Sequence, residues 1–133
     1  MNKQQAHAFL MDLLSNILFH ALLLGEVSGF IAGSGFEKSF ETIIKKQLRL
    51  LSVLGRQATD MAEFERLDDT LYSMHISGKG FNYRILYGFL PNNQPVLLLG
   101  FEEKAGKRKT EYGPHIDPAM RRMREMEEVF EHE

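Results

Sequence analysis

The chain contains no cysteine and no tryptophan, and only four prolines in 133 residues. Without a thiol there is no disulfide, no thiolate nucleophile and no thiolate metal ligand. With seven methionines and ten phenylalanines the core is expected to be aliphatic, filled out by Phe and Met. An uninterrupted membrane span is also missing. The most apolar run, residues 9–24, is short, and Asp12, Asn16 and His20 would lie in hydrocarbon. Asp12 also spoils the run as an export signal, so a cytoplasmic protein with no membrane partner is expected. The five histidines are scattered, with no H-x-x-x-H or H-E-x-x-H pair, so no metal is expected. Gly25, Gly29, Gly33 and Gly35 lack the spacing of a dinucleotide loop and the lysine of a P-loop, so no cofactor is expected either.

What is present fits one domain of ordinary globular composition. The formal charge of −2 hides an asymmetry. Residues 79–124 hold nine Lys/Arg against four Asp/Glu, a local +5, whereas residues 125–133 hold five acids and no Lys or Arg. A local basic patch, not the overall charge, is what engages phosphate.

Periodicity assigns the elements. Residues 4–24 read as one helix, apolar around most of its circumference, which needs burial in the core, against a second copy or against a partner helix. Residues 25–35 read as a glycine-rich connection, with a short strand at 27–32 as an option. No strand is legible before the helices. Ser34 and Glu37 have capping-box spacing and open a second helix, with Phe36, Phe40, Ile43, Ile44, Leu48, Leu51 and Leu54 as its buried stripe and Gly55 as its stop. Residues 59–67 are expected to add a short helical turn. Three strands follow at 71–77, 81–89 and 96–101, the first two joined by the tight turn Gly78-Lys79-Gly80. Asp117-Pro118 is expected to open a last helix, with Met120, Met123 and Phe130 in a weak apolar stripe. The fold class is α+β: a small twisted, mainly antiparallel sheet packed against N-terminal helices, with a C-terminal helix.

The three strands organise the chemistry. Arg84 stands among Tyr83, Ile85 and Leu86, a forked donor at a fixed point suited to phosphate. The competing role is an ion pair with Asp68 or Glu102. Lys104, Lys107, Arg108 and Lys109 follow the last strand, and with Lys79 at the hairpin tip they could hold an RNA backbone; a solvated loop is the alternative. Hairpin pairing can bring His75 beside Arg84, as an acid or base near neutral pH or simply as a half-exposed sheet histidine. Tyr112 could stack on a base or donate to phosphate, or close the core as a loop aromatic.

The order of these pieces carries a resemblance. A leucine-rich helix ending LRLLSVLG, then LYSMHI, YRILY and VLLLGFEEK, then a helix containing PAMRRM, resembles the RelE/HigB toxins, most closely their phage-derived branch, over residues 36–126. The resemblance implies a metal-independent endoribonuclease that cleaves messenger RNA on the ribosome and is neutralised by a cognate antitoxin protein. Carried across, Arg84 takes the place of the family's strand arginine, and Lys104 that of the second lysine in F-x-K-K. Lys107, Arg108, Lys109 and Tyr112 are placed by proximity, and His75 or Tyr112 would transfer protons. The chain departs from the pattern where His75 replaces an arginine and Glu103 replaces the first lysine of F-x-K-K. The alternative is a catalytically eroded binding protein of phage origin on the same fold, dimerising through the N-terminal helix.

Overall fold

The computed structural model describes residues 1–103 and 109–132. In chain order these form α1 (Lys3–Leu13), β1 (Leu18–Phe19), α2 (Ala21–Ile31), α3 (Glu37–Leu54), a 3-10 turn (Gly55–Asp60), β2 (Phe64–Arg66), β3 (Tyr72–Gly78), β4 (Phe81–Phe89), β5 (Pro95–Glu102) and α4 (Gly113–Glu131). The sheet runs β1-β5-β4-β3-β2, with β1 parallel to β5 and every other pair antiparallel. The architecture is the expected α+β one, with helices before the sheet and a helix after it. No helix among the described residues is long and apolar enough to cross a membrane.

The parity of β4 builds two cores. Phe81, Tyr83, Ile85, Tyr87 and Phe89 point to one face and pack with α1, α2 and α3 residues such as Leu10, Leu23, Ile31, Phe40, Ile44 and Leu51. Leu86 points to the other and packs with Leu71, Leu90, Val96, Leu98, Ala119 and Met123 beneath α4. A sheet covered on both sides explains why β5 is apolar at nearly every position. A bulge adds to this: the register passes from Leu86 opposite Leu99 to Tyr87 opposite Leu97, and both Leu98 and Leu99 are buried on the α4 side.

The N-terminal third departs from its sequence reading. The helix expected over 4–24 is two helices, broken by β1, and Leu14 is buried in the core. Residues 14–17 turn instead, and after β1 the Nδ1 of His20 accepts from the Leu22 amide at 3.2 Å to cap α2. The glycine-rich connection with its optional strand is mostly helix. Gly25 and Gly29 lie inside α2, whose Leu23, Leu24, Val27 and Ile31 are buried, so packing outweighs the low helix propensity of glycine. β1 is the N-terminal strand that periodicity missed, and at two residues it is too short to show alternation.

Other boundaries move for local reasons. The capping box belongs to Asn2 and Gln5 at the start of α1. Ser34 instead accepts from the Phe36 amide, and α3 begins without a side-chain cap. Gly55 ends α3 as expected, at a positive φ of 55°. The helical turn expected at 59–67 is a 3-10 turn ending at Asp60 followed by strand β2. α4 opens at Gly113 with Pro114 in its first turn, so Asp117-Pro118 lies within the helix.

A sheet edge is sealed without a strand. Beyond its two-residue pairing with β1, β5 would expose backbone groups. Glu26 of α2 accepts from the Gly100 amide at 3.0 Å, and Arg122 of α4 donates to the Leu98 carbonyl at 2.9 Å. The two side chains then bond each other through two contacts of 2.8 Å. Helices from opposite faces thus meet in one ion pair along β5.

Candidate functional site

β3 and β4 place His75 directly opposite Arg84, and β5 places Phe101 opposite Arg84 on the other side. The β4–β5 ladder extends one residue past β5, where the Glu103 amide donates to the Asn82 carbonyl at 2.9 Å. Glu103 therefore shares parity with Phe101 and falls on the face of Arg84. Its Oε1 accepts from Arg84 Nε at 2.5 Å, and its Oε2 lies 3.8 Å from His75 Nε2. Thr110 donates a short hydrogen bond to the same carboxylate. The His75 imidazole also bonds the Asn82 side chain.

Tyr112 completes the cluster. Its hydroxyl lies 3.0 Å from both Glu65 Oε2 and Ser73 Oγ, so it donates to the carboxylate and accepts from the serine. Its ring stands edge-on to Phe101, which in turn stacks on His115 with centroids 3.9 Å apart. The result is a polar strip across β2, β3, β4 and β5 with an aromatic group at its α4 end.

Electrostatics set what each member can do. Burial opposes ionisation of Glu103, but the Thr110 hydroxyl and the Arg84 guanidinium outweigh it, and the carboxyl sits below its ordinary range. It is a firm anion and a weak base. Burial raises the Tyr112 phenol, so this group stays protonated and donates. Burial lowers His115, which keeps its imidazole neutral.

The structure thus brings together Arg84, His75 and Tyr112. Lys79 is exposed at the hairpin tip and Lys109 is exposed ahead of Tyr112, and neither joins the cluster of contacts. Lys104, Lys107 and Arg108 lie outside the described residues. The acid paired with Arg84 is Glu103, not Asp68 or Glu102. Asp68 is occupied by the Thr70 and Leu71 amides, at 2.7 Å each, and Glu102 stands opposite Tyr83, one residue out of phase with Arg84. Sequence reasoning had also passed over Glu65, Ser73, Thr110 and His115. Parity could have found Glu103, two residues from Phe101, but nothing local marks Glu65, because β2 is only three residues long.

Among the described residues no group of three His, Asp or Glu side chains is placed to hold a metal ion. No protein-family model matches the chain, and no curated protein matches it significantly.

Proposed function

We propose that this chain is the toxin of a toxin–antitoxin pair, a RelE/HigB-like endoribonuclease that cleaves messenger RNA on the ribosome in the cytoplasm without a metal ion. The observation that carries the reading is the convergence of His75, Arg84 and Tyr112 on one sheet face, around the Glu103 carboxylate. The order of motifs supports it, and so does the short strand β1 ahead of α2 and α3, although α1 precedes that strand. That resemblance supplies the ribosome, the messenger and the antitoxin.

The chemistry follows from the side chains. His75 takes the proton of a ribose 2′-hydroxyl as that oxygen attacks the neighbouring phosphorus. Arg84 stabilises the anionic phosphorane, and Glu103 fixes the guanidinium and the imidazole in place. Tyr112, protonated, gives its proton to the leaving 5′-oxygen. The products are a 2′,3′-cyclic phosphate and a free 5′-hydroxyl.

A second reading has one specific observation in its favour. The Arg84 guanidinium is already engaged by an acid, with side-chain exposures of only 15% and 11% for the two partners. A protein whose phosphate site has been neutralised in this way would bind a partner and not cut RNA. Induced expression separates the two readings. The toxin reading expects growth arrest and new 5′-hydroxyl ends in transcripts, both relieved by Arg84→Ala and by His75→Ala. Normal growth with abundant folded wild-type protein and intact transcripts would refute it and leave the binding protein.

A further inference from the structure

On the face of the sheet away from the candidate site, α3 turns a row of cations outward. Lys38, Lys45, Lys46 and Arg49 are exposed, and the single acid among them, Glu41, is bound to Lys45 at 2.6 Å. Between α3 and the turn after α1 lies a notch of about 170 Å³. Its floor is Leu13, Ile17 and Leu48, and Lys45 and Arg49 stand on its rim. An aliphatic floor under a cationic rim suits an acidic helix that carries a small aliphatic knob. It does not suit nucleotide bases, because no aromatic ring lines it for stacking.

The chain itself presents such a helix. In the last turns of α4, Val129 is 58% exposed, Glu125 one turn before it and Glu128 beside it are exposed, and Glu131 is exposed at the helix end. The notch and this helix end belong to elements on opposite faces of the sheet, since α3 packs into the first core and α4 into the second. A single molecule therefore cannot join them.

We propose that the chain self-associates, with the acidic end of α4 of one copy seated on the cationic notch of α3 of another. Two such contacts made reciprocally close a symmetric dimer. The charges set register and encounter rate, and Val129 enters the notch. This contact differs from dimerisation through one continuous helix 4–24, since that stretch is broken into two helices, with Leu13 and Ile17 at the notch.

Sedimentation equilibrium on the full chain tests the idea. Wild type should be dimeric at low salt, with the dissociation constant rising several-fold between about 50 and 500 mM salt as screening shortens. Lys45→Glu/Arg49→Glu and Glu128→Lys/Glu131→Lys change exposed side chains only, and each should be a folded monomer by circular dichroism. Mixed together, they should pair, because both contacts are then between opposite charges again. Monomeric wild type at every concentration, or variants that still self-associate, would overturn the proposal. So would a monomeric wild type that binds a single-stranded oligonucleotide through Lys45 and Arg49, which would assign the α3 face to nucleic acid.

Discussion

The Nε of Arg84 donates to Oε1 of Glu103 at 2.5 Å, and the carboxylate is slightly more buried than the arginine it holds. The carboxylate does more than balance a positive charge. It holds the arginine and fixes its direction, at the cost of competing with any phosphate for the same guanidinium. Under the proposed function, whether the site cuts RNA or only binds a partner turns on this pair.

Glu103→Gln should release Arg84 while leaving an amide that can still accept from it. Affinity for a short single-stranded RNA should rise several-fold, read by filter binding at fixed salt. Stability should fall by about 1–3 kcal/mol, because a charge-assisted bond in a mostly buried setting is weakened. A loss of RNA affinity in this variant would mean that Glu103 does not compete with phosphate.

The same pair predicts a pH dependence. The folded carboxyl of Glu103 titrates below its ordinary value of 4.5. Its contribution to stability is therefore complete above that value and is lost as pH falls through the folded pKa. The difference in urea midpoint between wild type and Glu103→Gln should be constant from pH 8 to 5 and shrink below about pH 4. A difference that grew on acidification would reverse the assignment.

Glu26 and Arg122 form the second ion pair of consequence, and their roles are coupled. Either one changed to alanine leaves its partner's charge unpaired and strips a bond from the β5 edge. Each single change should cost about 2–3 kcal/mol in urea unfolding. The double variant should cost less than the two together, with a coupling of about 1–3 kcal/mol in the double-mutant cycle. Additive effects would show that the two helices hold the edge independently.

The Tyr87 hydroxyl is buried without a hydrogen-bond partner among the described residues. Tyr87→Phe should therefore be neutral or stabilising by up to about 1 kcal/mol, since it removes a desolvated polar group and breaks no bond. Tyr72→Phe is the matching control. There the hydroxyl accepts from Arg56 Nη1 at 3.2 Å, and its removal should cost about 0.5–1 kcal/mol in the same unfolding assay.

The sheet was legible because β3, β4 and β5 are long enough to show parity, and Gly80, at a φ of 89°, marks the hairpin between the first two. The N-terminal third was not, because its signals conflict. Gly25 and Gly29 read as breaks, yet a Cβ at either would stand in open space, and each sits in a helix held by burial of its neighbours. β1 and β2 exist by pairing with longer strands and have no periodicity of their own. In the site, His75 beside Arg84 followed from the short turn alone. Glu103 was within reach of parity with Phe101, but Glu65 and Thr110 needed the third dimension, because they arrive from β2 and a loop, 47 residues from Tyr112 and 7 from Glu103.

The seal along β5 also has an order in time. Glu26 is made early, but its arginine lies 96 residues further along the chain, and Leu98 of β5 is made 24 residues before that arginine is added. During synthesis, then, the sheet can assemble with one flank open, its Leu98 carbonyl unanswered and half a core uncovered. The last helix closes the molecule on both counts at once. A nascent chain stalled before α4 would carry a sticky flank, which makes the interval between β5 and α4 the step at which misassembly is most exposed.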